Sequence, residues 1–432
     1  MEILELTRKI QESLQRNELC RLQAREVAEL ACKLEDKTVT IAVIGQFKRG
    51  KTTMINSILG RKLLPTGIVP ITAAVTRIEY GPGETGERAR VYYTNGLNEE
   101  VPVDDLHRYI SEQENHNNEK GVAEVRVQIE SEFLRDGLVL VDTPGVGSVH
   151  ENNSRSAYDF ARESDGVIFM LSVDSPVNEI EVDFLKSVRR YAGKFYFTVN
   201  KVDIVDDEDL EEYMEYCGKL IGSIMDIPPE EEDAKAIKLV PISARKNKGI
   251  DRLTDMIRND LLQNSEEIME RSVALKLLEI IKNTRAQIGS YREVLKMAPN
   301  VFNRRFEEMN SILAEERRRA AAIPELDGKD RPAGCMRAGL NEEKAQLRNR
   351  VIELFGIEYY CPGDRENAGE LISPEEYAAE LLKVFDELSD TLHGIFMYKE
   401  ENAYTVARRI EDMNILVHEM DRFRRELEMI IE

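Results

Sequence analysis

An apolar run, TVTIAVI (Thr38–Ile44), breaks at Gly45 into GQFKRGKT and continues as TMINSILG. A buried strand that turns through a glycine-rich loop into a helix leaves few folds open. The spacing Gly45-x4-Gly50-Lys51-Thr52 is that of a phosphate-binding loop. Its backbone N–H groups point into a loop that opens a helix, where partial positive charge gathers and favours an anion. Gly45, Gln46, Phe47, Lys48, Arg49, Gly50, Lys51, Thr52 and Thr53 are therefore candidate phosphate-binding residues. Lys51 reaches the β and γ oxygens, and the Thr52 hydroxyl is placed for Mg2+. Two bulky cations, Lys48 and Arg49, are unusual in such a loop and need an explanation.

Further elements follow in order, each at the end of an apolar run. LVLVDTPGVGS places Asp142 where a carboxylate can hold Mg2+ through water, and Gly145 where its N–H can meet a γ-phosphate. FTVNKVD ends on Asp203, whose two oxygens can accept the paired donors on the guanine edge. Adenine lacks that donor pair and would leave the carboxylate unsatisfied. Asn200 is expected on the other edge of the base, with Lys201 lying along it. PISARKNKG supplies Ser243, Ala244 and Arg245, with backbone around Ala244 facing the guanine O6. Between the first two elements, LLPTGIVPITAAVTRIEYG should hold a mobile threonine that joins Mg2+ only in the triphosphate state. Thr72 is favoured, because Thr76 opens a strand-like run, and Thr66 is the third choice. The expected ligands are GTP or GDP with Mg2+, and the metal-holding set is Thr52, Thr72 and Asp142.

The remaining apolar runs, DGVIFMLSV, KFYFTVN and AIKLVPIS, are continuous rather than alternating, as in strands buried on both faces. ARVYYTNGLNEEVPV carries Asn95-Gly96 at its centre, a hairpin turn. The pattern predicts an α/β GTPase domain, a doubly wound and mostly parallel sheet, over residues 37–263. A charged amphipathic helix spans residues 1–36, with Ile3, Leu6, Ile10 and Leu14 at helical spacing. Charged helices occupy residues 264–432, among them Val351–Phe355, Glu375–Leu388 and Ala403–Ile431. Pro324–Gly339 and Cys361–Gly369 interrupt them. The N-terminal helix is expected to pack with these into a helical bundle, with GIFMY (Gly394–Tyr398) in its core.

A formal net charge of −22 argues against nucleic acid as a partner. The five cysteines are scattered and read as reduced thiols. No apolar run reaches the ~20 residues that span a bilayer, so the expected location is cytoplasmic, peripheral to a membrane if it meets one.

On GQFKRGKTTMINSILG, LLPTGIVPITAAVTRIEYG, DTPGVGS and NKVD, the chain resembles the bacterial dynamin-like proteins of the dynamin superfamily. The resemblance implies GTP hydrolysis, self-association across the nucleotide face and movement of a helical bundle. Ras-like proteins orient water with a glutamine at the position of Val146, which cannot do so. Atlastins and guanylate-binding proteins place an internal arginine finger at the position of Lys48, and dynamins proper a glutamine at that of Phe47. The catalytic candidates are thus Lys48, Lys51 and Thr72, with surface charge as the other reading of Lys48 and Arg49. Two further readings are an Era-like assembly GTPase on RNA and a GTP-sensing scaffold for a protein partner, which the sequence does not identify.

Overall fold

The computed structural model describes residues 2–66, 74–81, 86–111, 113–115, 118–145, 160–225, 238–323, 340, 343–344, 346–347, 350, 374–399 and 402–431. They fall into two compact units. One is Glu29–Leu277 with the extreme ends of the chain, and the other is Glu5–Ala28 with Leu278–Met429.

The N-terminal segment forms two helices rather than the single one expected, α1 (Glu2–Gln15) and α2 (Arg21–Asp36). Asn17 explains the break. Its side chain accepts a hydrogen bond from the Leu19 N–H at 3.0 Å, giving the backbone an alternative to helix.

A nine-stranded sheet organises the first unit. Its strands are β1 (Val39–Ile44), β2 (Val75–Tyr80), β3 (Arg88–Tyr93), β4 (Asn98–Val101), β5 (Val122–Ile129), β6 (Leu138–Asp142), β7 (Gly166–Ser172), β8 (Lys194–Asn200) and β9 (Leu239–Pro241). The spatial order is β4-β3-β5-β2-β6-β1-β7-β8-β9. From β6 to β9 every pairing is parallel, and every residue of β1, β6 and β7 is buried. That is why these runs carry no polar alternation. Strand β2 lies antiparallel to β6 and parallel to β5, so the sheet is mixed but mostly parallel, as expected. The β3–β4 hairpin turns at Asn95-Gly96, where Gly96 takes φ 83°.

Strand β5 was not foreseen, although it alternates: Val125, Val127 and Ile129 are buried, while Arg126 and Gln128 are exposed. Alternation along β1 divides the apolar core. Ile41 and Val43 join one cluster with Met54 and Leu140; Ala42 and Ile44 join the other with Phe169 and Phe184. Helices α3 (Lys51–Ile58), α4 (His107–Ile110), α5 (Glu179–Val188), α6 (Asp207–Ile224) and α7 (Ile250–Lys296) complete the unit, α7 running on into the second one. Within α7, Asn264 leaves helical geometry at φ −137°.

The second unit is helical, with α8 (Pro299–Ala322), α9 (Pro374–Lys399) and α10 (Ala403–Ile431). Leu6, Ile10 and Leu14 of α1 are buried, as are Met413, Leu416, Met420, Phe423 and Leu427 of α10. Each such side chain contributes roughly 1.5–3 kcal/mol on leaving water. The Ser13 hydroxyl donates to Glu419, tying α1 to α10, and Arg285 pairs with Asp421 at 2.8 Å. The GIFMY stretch divides: Phe396 stacks on Phe306 at 4.6 Å, whereas Met397 is exposed. The segments 324–339 and 351–373 lie outside the described residues.

Candidate functional site

The carboxyl ends of β1, β6, β7 and β8, with the loop after β9, meet along one edge of the sheet. Ligands bind at this edge in open α/β folds. Strand β1 delivers the loop from Gly45 to Gly50, and α3 begins at Lys51. Gly45 has φ 156°, and a Cβ there would sit 2.5 Å from the Met170 carbonyl. Gly50 has φ 102°, and its Cβ would meet Asn200 Nδ2 at 2.4 Å. Both positions need glycine, for conformation and for space.

Lys51 is buried, and its Nζ donates to the Gly45 carbonyl at 2.8 Å and the Gln46 carbonyl at 3.4 Å. Burial pulls its ammonium down to about 8, against the support of Asp142. A phosphate would restore the charge it favours. Thr52 donates its hydroxyl to Asp142 Oδ2 at 2.9 Å, while Thr53 is half-buried in the same turn.

Asp142 ends β6 almost fully buried, and burial pushes its carboxyl up to about 6. Its Oδ1 has no hydrogen-bond partner. A buried, unpartnered carboxylate oxygen beside a hydroxyl is an oxygen donor set that suits Mg2+. Gly145 lies against the loop: a Cβ there would stand 2.8 Å from the Phe47 backbone and 3.2 Å from Lys51 Nζ. Its N–H thus belongs to the phosphate side. Thr72 and Val146 lie outside the described residues. Of the other threonines weighed, Thr76 is fully buried in β2 and Thr66 is exposed.

The base side comes from β8 and the loop after β9. Asp203 accepts from the Ser243 hydroxyl at 2.6 Å and pairs with Lys246 at 3.2 Å. The Ser243 hydrogen bond, helped by Lys246, holds its carboxyl below the usual carboxylate value. It is therefore an acceptor at neutral pH. Lys201, in the left-handed region at φ 63°, is held by Asp174 at 2.6 Å. Arg245 is exposed.

Two residues have protein partners that the sequence reading did not give them. Asn200 is buried. Its Nδ2 donates to the Arg49 carbonyl at 2.8 Å, and its Oδ1 accepts from the Ala244 N–H at 2.9 Å. It ties the phosphate loop to the Ser243–Arg245 loop, and both it and the Ala244 N–H are engaged with each other. The Arg49 side chain is no surface cation: it is 2% exposed and paired with the fully buried Glu181 at 2.7 Å. Lys48 alone is exposed, at φ 67°, with its ammonium 5.3 Å from the Phe47 ring centre.

Asp174, Glu181 and Lys246 were not singled out from sequence. Asn178-x-x-Glu181 is a capping-box pattern and locates Glu181 in the first turn of α5, but nothing local announces its partner 132 residues away. Among the described residues no helix is long and apolar enough to cross a membrane.

Residues 41–203 match the dynamin family. Similar curated proteins include an uncharacterized protein in the xynA 3' region of Caldicellulosiruptor sp. (strain Rt8B.4), 35% identical over 240 residues, 56% of this chain and 55% of that one. Dynamin-like protein 2 of Campylobacter jejuni is 31% identical over 193 residues, 44% of this chain and 30% of that one. A probable transmembrane GTPase, FZO-like and chloroplastic, of Arabidopsis thaliana is 28% identical over 211 residues, 49% of this chain and 19% of that one. The matched stretch thus spans about half or less of each relative. The domain that carries the site matches the dynamin family over residues 41–203, and the chain resembles the bacterial dynamin-like proteins.

Proposed function

We propose that this chain binds guanine nucleotide with Mg2+ and hydrolyses GTP, its GTPase faces pairing in the triphosphate state and that pairing moving the helical unit. The observation that carries the reading is the Asp142 carboxylate: buried, bonded to Thr52 on one oxygen and unpartnered on the other, beside Lys51. Such a group is costly to keep unless something binds it.

Thr52 and Asp142, joined by Thr72, would hold Mg2+, which would neutralise charge on the β and γ phosphates. Lys51, drawn from its loop carbonyls, would bind the same oxygens. Asp203 would accept from the guanine edge, its orientation set by Ser243 and Lys246. Lys48 stands at the outward corner of the loop, free to bring positive charge to the charge that grows during phosphoryl transfer. A lysine lacks the bidentate fork of arginine, so its contribution is smaller than an arginine's would be. Exclusion of water by a second copy would strengthen it.

The kinship with a relative described as a transmembrane GTPase supports action at a membrane, with this chain in peripheral contact. Phosphate release from GTP, measured with Mg2+ or with chelator and over a range of protein concentrations, tests the reading. Turnover that needs Mg2+ and rises per molecule with concentration supports it. Equal turnover of ATP, or none of GTP, overturns it.

A further inference from the structure

Removing an arginine and a glutamate from water costs several kcal/mol per ion even after relaxation. Arg49 and Glu181 are both out of water, and Arg49 sits in a loop where smaller, neutral residues would serve. The pair is also completely furnished. Arg49 Nε and Nη2 grip the two Glu181 oxygens at 2.9 and 2.7 Å. Nη2 also donates to the Pro176 carbonyl at 3.0 Å. Nη1 reaches the Ser175 carbonyl at 2.7 Å and the Ser172 carbonyl and hydroxyl, both at 3.1 Å. Glu181 in turn caps α5, accepting from the Asn178 N–H at 3.2 Å.

The Arg49 backbone makes a separate connection. Its carbonyl accepts from Asn200, whose Oδ1 holds the Ala244 N–H. The network continues on the far side, where the Ser172 hydroxyl donates to Asp174 at 2.6 Å and Asp174 holds Lys201. One residue of the phosphate loop thus references three separate segments: the 172–181 connection, the Asn200–Asp203 turn and the Ser243–Arg245 loop. Lys48, immediately before it, takes the left-handed corner and is exposed.

We propose that Arg49 is a positioning residue of the nucleotide site, holding the phosphate-binding and base-binding loops at a fixed separation before a nucleotide diphosphate or triphosphate arrives. The proposal rests on the nucleotide reading given above. Its physical content is preorganisation: a loop that must be ordered by its ligand binds more weakly by the fraction of time it is correctly formed. Lysine at this position would keep the charge but has a compact ammonium, which cannot reach six acceptors at once.

The test measures GDP affinity by calorimetry in the full chain, for wild type, Arg49→Lys, Glu181→Gln and the double variant, with urea midpoints measured alongside. Glu181→Gln keeps volume and the acceptor for the cap, so it is the gentler change. Arg49→Lys is expected to weaken GDP about tenfold and Glu181→Gln about fivefold, as a loop preformed 10–20% of the time would do. Because both act through one contact, the double variant should be no weaker than Arg49→Lys alone. A pair that serves only the core would lower the urea midpoint and leave the GDP affinity of the folded protein unchanged, in Glu181→Gln above all. That result overturns the proposal while wild-type binding leaves the nucleotide reading standing. A wild-type chain that binds neither GDP nor GTP overturns both.

Discussion

Replacing Asp142 by asparagine should stabilise the nucleotide-free protein while it damages the nucleotide site. Burial lifts this carboxyl from 3.8 to about 6. That rise corresponds to ~3 kcal/mol between the charged and neutral forms. It is already the balance of burial against the attraction of Lys51, so the asparagine gains at most ~3 kcal/mol at neutral pH. The sign follows from proton binding. A carboxyl whose folded value lies above its unfolded value holds the proton more tightly when folded, so its penalty is absent below about pH 4. The penalty grows between about pH 4 and pH 6 and is complete above that window. Urea unfolding of both proteins in chelator, without nucleotide, should show the variant more stable at pH 7.5 and the gap closing toward pH 4. Its affinity for Mg2+-bound GTP analogues should fall by at least ~10-fold, since a charged carboxylate donor becomes a neutral amide. A variant less stable than wild type at pH 7.5, or a gap independent of pH, would refute the reasoning.

Asp203→Asn removes two charge-assisted acceptors from the guanine edge, so GTP affinity should fall by ~10²-fold or more, while xanthosine triphosphate binding improves; competition binding measures both. Lys48→Ala should lower kcat by ~10- to 1000-fold and leave GTP affinity within about twofold, because its charge matters chiefly as the reaction proceeds; steady-state kinetics read the split. Leu14→Ala, at a fully buried α1 position, should cost ~2–5 kcal/mol of the helical unit's stability, seen as a lower urea midpoint by circular dichroism.

What could be read from the sequence was the part governed by local physics. The runs ending at Ile44, Asp142, Ser172 and Asn200 are apolar because both faces of those strands are covered, and each hands a loop to the same edge. The loop glycines followed from backbone conformations that only glycine takes at ease. What escaped was set by distant partners. Arg49 looked like a surface cation because its glutamate lies 132 residues on, and charge in a loop ordinarily means solvent. The bonds that join Asn200 to the Arg49 carbonyl and the Ala244 N–H likewise link residues 151 and 44 positions apart, which its motif does not announce. Strand β5 alternates because one of its faces is open, and its insertion beside β2 depends on pairing that no short stretch encodes. The break at Asn17 was legible in kind, from a side chain that competes for backbone N–H groups, but not from helical periodicity, which runs across it.

The most direct test of the account is the release of phosphate from GTP and from ATP by the full chain, in Mg2+ and in chelator, as protein concentration is raised. The account predicts that GTP alone is turned over, that chelator abolishes it, and that the rate per molecule climbs with concentration as the GTPase faces meet. Comparable turnover of ATP would contradict the role of Asp203, and absence of GTP turnover at every concentration would contradict the account as a whole.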